Sequence, residues 1–269
     1  MADERERWGL ILGASSGFGE ATSLALASAG YNICGVHLDR RQSMAHVDEI
    51  KAKIAALGRE ALFFNVNAAD DEQRAHVVGE LRSTFDARAA RQPYLRVMLH
   101  SLAFGTLKPY LAQDPDEAIS HRNLDMTLDV MANSLVYWSQ DAWRAGLLGQ
   151  GSKIYAMTSE GSTRVIRTYG AVSAAKAALE SHCRQLAMEF AKLDSGVTVN
   201  AIRAGVTLTP AMMRIPERDD LMLHGSRNPS GRMTEVNDVA QAIVTLSSEG
   251  THWITGNVIG IDGGELIGA

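Results

Sequence analysis

Short apolar runs alternate with amphipathic stretches of helical length along almost the whole chain, and few folds accommodate such a pattern. Parallel neighbouring strands need long crossover connections, which helices supply. The alternation therefore predicts an α/β fold in which helices cover both faces of a parallel sheet. The seven predicted strands are Trp8–Leu12, Tyr31–His37, Ala61–Phe64, Arg96–Leu99, Lys153–Met157, Thr198–Ile202 and Val258–Ile261. The predicted helices lie near residues 18–29, 42–57, 70–86, 114–147, 169–193 and 235–248.

No composition break, repeat or linker divides the 269 residues, so we expect residues 1–269 to form a single domain. The longest stretch without a clear period runs from Gly205 to Met233 and contains three prolines. Loops of this length in compact domains usually carry function. We therefore interpret residues 205–233 as a substrate loop, with a poorly ordered excursion as the alternative.

Composition excludes several classes of protein. With 46% hydrophobic residues the chain can bury a core, unlike a disordered chain, and its net charge of −5 without a basic patch argues against nucleic-acid binding. Cys34 and Cys183 lie far apart, and the histidines lack metal-ligand spacing, so we expect neither a disulfide nor a metal site. No apolar run has the length of a membrane span or a signal peptide core. We expect a cytoplasmic protein with no nucleic-acid or membrane partner.

A glycine-rich turn follows the first predicted strand and leads into an alanine-rich helix. Glycines at such a turn let the backbone approach a pyrophosphate, which then binds free N–H groups at the helix N-terminus. The residues of this candidate dinucleotide site are Gly13, Ser15, Ser16, Gly17, Phe18 and Gly19. The same letters match the Gly-x-Ser-x-Gly elbow of serine hydrolases, but only twelve residues precede Gly13, too few for the oxyanion-hole loop. An ordinary tight turn is the other alternative.

The end of the second predicted strand bears on the choice of cofactor. An acidic residue there accepts from the ribose 2′-hydroxyl of NAD, whereas arginine pairs with the 2′-phosphate of NADP. The chain has His37 at the strand end, followed by Asp39, Arg40 and Arg41. We therefore expect NADPH, with NADH possible because of Asp39. The alternative is that both arginines are solvated residues at a helix start.

After the fifth predicted strand come Ser159 and then Tyr169 and Lys176 on an alanine-rich helix. Here the chain resembles the short-chain dehydrogenase/reductase superfamily over nearly its whole length, which implies a single doubly wound Rossmann-type domain with a seven-stranded parallel sheet. The matching blocks are the turn 13–19, Asn65-Val66, Asn133, Ser159, Val199-Asn200-Ala201, Ala204-Gly205 with Thr209, Gly231-Arg232 with Asp238-Val239-Ala240, Ile254-Thr255-Gly256 and Asp262-Gly263-Gly264.

Two departures from the superfamily pattern narrow the resemblance. Most members carry Tyr-x3-Lys, but this chain has Val172 four residues before Lys176 and a tyrosine seven before it, giving Tyr-x6-Lys. This spacing, with His100-Ser101-Leu102-Ala103, is similar to the divergent enoyl-acyl-carrier-protein reductases. Ser159, however, occupies the place where ordinary reductases keep a catalytic serine and where many enoyl reductases have another tyrosine.

Helix geometry explains how a tyrosine at residue 169 can still serve the site. At about 100° per residue, offsets of four and seven residues from Lys176 both point into the same cleft. The shift moves the phenol about 4.5 Å along the helix axis. In an enoyl thioester the carbonyl lies farther from the hydride-accepting carbon than in a ketone. We therefore hypothesise that the relocated Tyr169 serves the carbonyl of an enoyl thioester.

The resemblance implies NADPH-dependent reduction of the carbon–carbon double bond of an enoyl-acyl-carrier-protein or enoyl-CoA thioester in fatty acid synthesis. The alternatives are a 3-oxoacyl-acyl-carrier-protein or other ketone reductase, and a nucleotide-binding regulator without turnover. Tyr169 would donate a hydrogen bond to the enolate oxygen, Lys176 would bind the nicotinamide ribose and favour the phenolate of Tyr169, and Ser159 would be catalytic. Further cofactor-binding residues implied are Asn65, Val66, Ser101, Gly205, Thr207 and Thr209.

The resemblance also raises three expectations away from the chemistry. Asn133 either holds a water or bends its helix, or is a plain surface residue. Arg164 and Arg167 attract a carrier protein or, more simply, are solvated charges. Members of the superfamily commonly pair the helix that carries the lysine, so we expect a homodimer or homotetramer; the alanines that would permit close helix approach are Ala171, Ala174, Ala175 and Ala178.

Overall fold

A computed structural model describes residues 5–226 and 228–267. Seven parallel strands of this part form one sheet in the order β3-β2-β1-β4-β5-β6-β7, which confirms the predicted fold class. The strands are β1 (Arg7–Leu12), β2 (Asn32–His37), β3 (Ala61–Asn65), β4 (Tyr94–His100), β5 (Lys153–Thr158), β6 (Thr198–Ala204) and β7 (Val258–Ile261). The helices are α1 (Gly17–Ser28), α2 (Met44–Ala56), α3 (Asp71–Asp86), α4 (His121–Leu128), α5 (Ser134–Arg144), α6 (Gly170–Lys192), α7 (Arg218–Ser226) and α8 (Val236–Leu246).

The strand order reverses at β1, which pairs with β2 on one side and β4 on the other. The connections that follow these strands leave toward opposite sides of the sheet, and a crevice opens at their carboxyl ends. Both faces of the sheet are covered, because alternate residues of β1 enter two separate apolar cores: Leu10 and Leu12 join one core, and Ile11 joins the other. The crevice therefore lies at the carboxyl edge of a sheet whose central strands are buried on both faces.

The helix predicted over residues 114–147 is interrupted in the structure. It begins only at His121, where the Ser120 hydroxyl accepts a hydrogen bond from the Asn123 amide at 3.2 Å. Residues Asp129–Asn133 then form a π-helical turn between α4 and α5. Such a turn inserts one extra residue and redirects the side chains that follow, often at functional sites. Asn133 lies at its end, in agreement with the expectation that this residue marks a bend.

The substrate loop 205–233 contains more regular structure than its sequence suggested. A 3-10 turn covers Met212–Arg214 and helix α7 covers Arg218–Ser226. The large apolar residues of this helix, Leu221, Met222 and Leu223, are consecutive, so its sequence lacks the apolar period by which amphipathic helices are recognised. No helix within the described ranges is long and apolar enough to cross a membrane.

Candidate active site

The carboxyl ends of the central strands open into a cavity of about 540 Å³. The glycine turn forms one end of it, and the segment after β5, helix α6 and the substrate loop form the other end. The position agrees with the general rule that ligands of open parallel sheets bind where the strand order reverses. The cavity is therefore the candidate active site.

The glycine turn forms a cradle that other residues could not make. Gly13 has a φ of +91°, and a Cβ on it would lie 2.5 Å from the Ser101 carbonyl oxygen. A Cβ on Gly19 would lie 2.0 Å from the Gly13 carbonyl oxygen, so this glycine serves close packing. Ser16 precedes α1 but makes no capping bond with its side chain, which leaves the N-terminal N–H groups of the helix available to an anion. The cradle fits the pyrophosphate of a dinucleotide.

Most of the candidate cofactor-binding residues line this cavity. These residues are Gly13, Ser15, Ser16, Gly17, Phe18, Val66, Ser101, Lys176, Gly205, Thr207 and Thr209. The other four candidates, Gly19, Arg40, Arg41 and Asn65, are not in its wall. Asn65 instead shapes the rim, because its side chain accepts from the Asp39 amide and donates to the Asp39 carbonyl, both at 2.9 Å.

His37 lies at the end of the cavity where β2 terminates. Its Nδ1 lies 3.0 Å from a carboxylate oxygen of Asp39. Burial lowers the pKa of His37, although the hydrogen bond with Asp39 opposes that effect. The Asp39 carboxylate thus already has a partner, whereas Arg40 and Arg41 are exposed and have no side-chain bond within the described part of the chain.

Ser159, Tyr169 and Lys176 meet at the other end of the cavity. Lys176 is buried, and its Nζ donates to the carbonyl oxygens of Met157 at 2.7 Å and Leu102 at 3.4 Å. Burial lowers the pKa of Lys176 to about 8. Two backbone carbonyls therefore fix the position of the ammonium group in the cavity wall.

The tyrosine ring is held by a glycine on the segment that follows β5. A Cβ on Gly161 would lie 2.8 Å from the Tyr169 ring, so this contact requires a residue without a side chain. Burial raises the pKa of Tyr169, and the Ser159 side chain opposes this rise only in part. Burial therefore favours the protonated phenol, whereas Lys176 is expected to favour the phenolate. The phenol stays protonated and is a hydrogen-bond donor.

Val172 occupies the helix position where ordinary members of the superfamily have their tyrosine. Its side chain is buried and forms part of the cavity wall. A Cβ on Gly105 would lie 2.8 Å from both Val172 and Met131, so these three residues form a close-packed apolar wall. The part of the cavity nearest to Lys176 thus combines an apolar surface with one phenol and one ammonium group.

His100 belongs to the motif that is similar to that of the enoyl reductases, and it lies behind the cavity. Its Nε2 lies 2.8 Å from the Ser134 hydroxyl, and Ser134 in turn donates to the Val130 carbonyl. Nε2 is therefore the donor, and the buried Nδ1 has no partner among the described residues. Burial, with a smaller contribution from Lys176, lowers the pKa of His100 to about 3, so the imidazole is neutral.

Three titratable residues that sequence reasoning missed come together from distant segments, and two of them, Glu160 and Glu265, line the cavity. Donor atoms of Glu160, His224 and Glu265 lie within 4.8 Å of one another. The Arg164 Nη1 pairs with Glu160 and lies 3.4 Å from the His224 Nε2, while the side chain stays exposed to solvent. Arg167 is exposed.

Glu265 is buried and accepts from the Val206 amide at 3.0 Å. Burial raises the pKa of Glu265, and the bond from Val206 opposes that shift. A signal for this residue exists in the sequence, since it directly follows Asp262-Gly263-Gly264 at the carboxyl end of the last strand. Glu160 carries a similar signal, because it follows Ser159 at the end of β5.

Comparison with known proteins is consistent with this site. The profile described as enoyl-(acyl carrier protein) reductase matches residues 13–265. A cyclohexanol dehydrogenase of Acinetobacter sp. is 28% identical, and the alignment covers 94% of this chain and 92% of the dehydrogenase. An enoyl-(acyl-carrier-protein) reductase (NADH) of Buchnera aphidicola is 28% identical over 81% of each chain.

Among solved structures, a short-chain dehydrogenase of Burkholderia cenocepacia in complex with NADP superposes with a TM-score of 0.79 at 25% identity. The match covers 98% of this chain and 99% of that one. Together with the profile match, these similarities establish the family and the type of reaction, an NAD(P)-dependent oxidoreduction. The chain belongs to the short-chain dehydrogenases/reductases of the enoyl-(acyl carrier protein) reductase type.

Proposed function

We propose that this chain reduces the carbon–carbon double bond of an enoyl thioester, carried by acyl carrier protein or CoA, in fatty acid synthesis. The observation that carries the proposal is the arrangement at the start of α6. Tyr169 immediately precedes the helix and lines the cavity, while Val172 presents a methyl surface one turn closer to Lys176. A flat, apolar enoyl group fits against this wall, with its carbonyl directed toward the phenol.

The roles of the residues follow from this geometry. The glycine cradle and Thr209 would hold the pyrophosphate, and the Lys176 ammonium would bind the ribose hydroxyls of the nicotinamide half. When bound, the reduced nicotinamide supplies the hydride. Tyr169, kept protonated by burial, donates a hydrogen bond to the thioester oxygen as negative charge develops there. The enolate then takes one proton, which comes from solvent, at the carbon next to the thioester carbonyl. A preorganised donor of this kind contributes about 3 kcal/mol to transition-state stabilisation.

Reduction of a ketone, such as a 3-oxoacyl thioester, is the second candidate function. The presence of Ser159 in the same cavity as Tyr169 favours it, because two hydroxyl groups can polarise one carbonyl oxygen. In that reaction Ser159 would be essential. In enoyl reduction Ser159 would only orient the phenol, so its loss would be the milder change.

We propose NADPH as the preferred cofactor. The Asp39 carboxylate is engaged by His37, while Arg40 and Arg41 are exposed a few residues after the end of β2, where they would be available to a 2′-phosphate. Replacing both arginines by alanine should raise the KM for NADPH by about tenfold or more and leave the KM for NADH unchanged. An equal change for both cofactors would refute the assignment.

The deciding experiment measures nicotinamide oxidation with crotonyl and acetoacetyl thioesters of CoA and of acyl carrier protein, each with NADPH and NADH. Turnover of the enoyl substrates alone supports the proposal, and turnover of the keto substrates alone refutes it in favour of the second candidate. Absence of turnover would favour a nucleotide-binding regulator. Tyr169→Phe should lower kcat at least a hundredfold, and Ser159→Ala about tenfold if the substrate is an enoyl thioester.

We further propose a cytoplasmic homodimer or homotetramer that takes its acyl thioester free or on a carrier protein, without nucleic-acid or membrane partners. Of the four alanines, Ala171 and Ala175 are buried within the chain, which leaves Ala174 and Ala178, both half-buried, available to a second copy. Light scattering on the purified protein tests the assembly, and Ala178→Glu should reduce it to a smaller species.

A further inference from the structure

The segment that carries the candidate catalytic residues is tied to the substrate loop at two places. We call residues 159–169 the serine–tyrosine segment. At its end, the Thr168 hydroxyl donates to the Glu217 carboxylate, at 2.9 Å from Oε2 and 3.2 Å from Oε1. At its start, Glu160 lies 3.9 Å from the His224 Nε2. Each tie is therefore one residue away from a candidate catalytic side chain, Ser159 or Tyr169.

The backbone conformation of Thr168 indicates that its contact with Glu217 is the more important of the two. Thr168 has a φ of +58°, a left-handed conformation that a β-branched residue rarely adopts. Such a conformation costs about 1–3 kcal/mol and persists only where the surrounding structure holds it. The Glu217 carboxylate is a group that holds the Thr168 side chain in place, and the next residue is Tyr169, where α6 starts.

Glu217 is itself fixed by the start of helix α7. Its carbonyl accepts from the Leu221 amide at 3.1 Å, the first helical hydrogen bond of that turn. Leu221 and Ile215 from the substrate loop line the cavity, opposite Ile166 and Tyr169 from the serine–tyrosine segment. The position of α7 and the position of the phenol therefore both depend on one side-chain pair, Thr168 and Glu217.

We propose that Glu217 is a positioning residue which, through Thr168, makes the placement of Tyr169 depend on the seating of the substrate loop over the cavity. A substrate that packs against Ile215 and Leu221 then stabilises the same arrangement that aligns the phenol. The inference rests on the proposed function in so far as Tyr169 is the donor to the substrate. Thr168 and Glu217 lie outside the cavity wall and act on this donor.

Substitutions at either end of the pair test the kinetic consequence. Thr168→Val keeps the β-branched shape without the hydroxyl, and Glu217→Ala removes the acceptor, so each should lower kcat about tenfold with a nearly unchanged KM and melting temperature. Thr168→Ser and Glu217→Gln keep a donor and an acceptor and should stay within about threefold of wild type. The double variant Thr168→Val with Glu217→Ala should be no slower than either single variant.

Asp220→Ala is the matched control, since Asp220 is an exposed acidic residue on the same helix. It should leave kcat unchanged. The inference is overturned if Thr168→Val and Glu217→Ala retain the wild-type kcat, or if their effects multiply in the double variant. A loss of activity that Glu217→Gln does not restore would also overturn it.

A measurement without substrate separates this inference from the proposed function. In Glu217→Ala, hydrogen–deuterium exchange should become faster in residues 159–173 as well as in 205–226, whereas Asp220→Ala should match wild type. Unchanged exchange in 159–173 overturns the coupling. If wild type reduces none of the thioesters tested, the proposed function fails while the exchange data still decide whether the pair couples the two segments.

Discussion

Gly161→Ala should reduce activity by displacing the Tyr169 ring. The added Cβ would lie 2.8 Å and 2.9 Å from two ring carbons, whereas ordinary contacts begin at 3.4 Å. The ring must therefore move by roughly half an ångström or more, and misplacement of a reacting group by 1 Å can cost about a hundredfold in rate. We expect kcat/KM to fall about tenfold or more. Gly161 does not have a positive φ, so alanine brings no backbone strain at this position.

The assay combines steady-state kinetics on the preferred thioester with a thermal melt and a titration of the nicotinamide cofactor. The cofactor Kd should stay unchanged, because Gly161 is remote from the glycine cradle. Gly79→Ala is the control: its Cβ meets open space on α3, and alanine should stabilise that helix by about 0.5–1 kcal/mol without changing kcat.

A folded Gly161→Ala protein with wild-type kcat/KM would refute the reasoning. Such a result would mean either that the ring finds another position at no cost or that Tyr169 does not take part in the reaction. Tyr169→Phe separates the two explanations, because it removes the hydroxyl without moving the ring. Normal activity in both variants would remove Tyr169 from the mechanism.

Two predictions concern stability. The lowered pKa of Lys176, about 8, means that its buried charge destabilises the folded chain at pH 7, and this cost falls as pH rises from about 8 toward 10.4. Lys176→Met should therefore be inactive yet at least about 1 kcal/mol more stable in urea unfolding at pH 7, with a smaller advantage at pH 9.5; a constant advantage would contradict this. Asp141→Ala should lower the free energy of unfolding by about 2–3 kcal/mol, because buried Arg74 loses a 2.6 Å hydrogen bond. Asp86→Ala, which breaks an exposed pair with another arginine, should lower it by under about 0.5 kcal/mol.

Local sequence pattern predicted the strands well, because the five inner strands are buried on both faces and so appear as short apolar runs. It failed where no apolar period exists. Helix α7 is polar and was included in a loop, and the π-helical turn at Asp129–Asn133 was not distinguished from the helices on either side. Both elements depend on contacts with other parts of the chain, which periodicity does not record.

The candidate site was predicted in part. The spacing of Tyr169 and Lys176 predicted that both would face one cleft, and both line the same cavity. The sequence did not reveal that Asn65 would bond to Asp39 and not line the cavity, or that the Tyr169 pKa would be raised. Burial of the phenol is a property of its surroundings, and it reversed the expected direction of the shift.

The sequence by itself determined the parallel sheet, the glycine cradle and the identity of the residues at the strand ends, because these follow from local periodicity and from backbone conformations open only to glycine. The tertiary structure decided which of these residues meet. Thr168 and Glu217 are 49 positions apart and touch at 2.9 Å. Such pairs arise from the packing of whole elements at the carboxyl edge of the sheet, and the electrostatics of the site follow from the burial that this packing imposes.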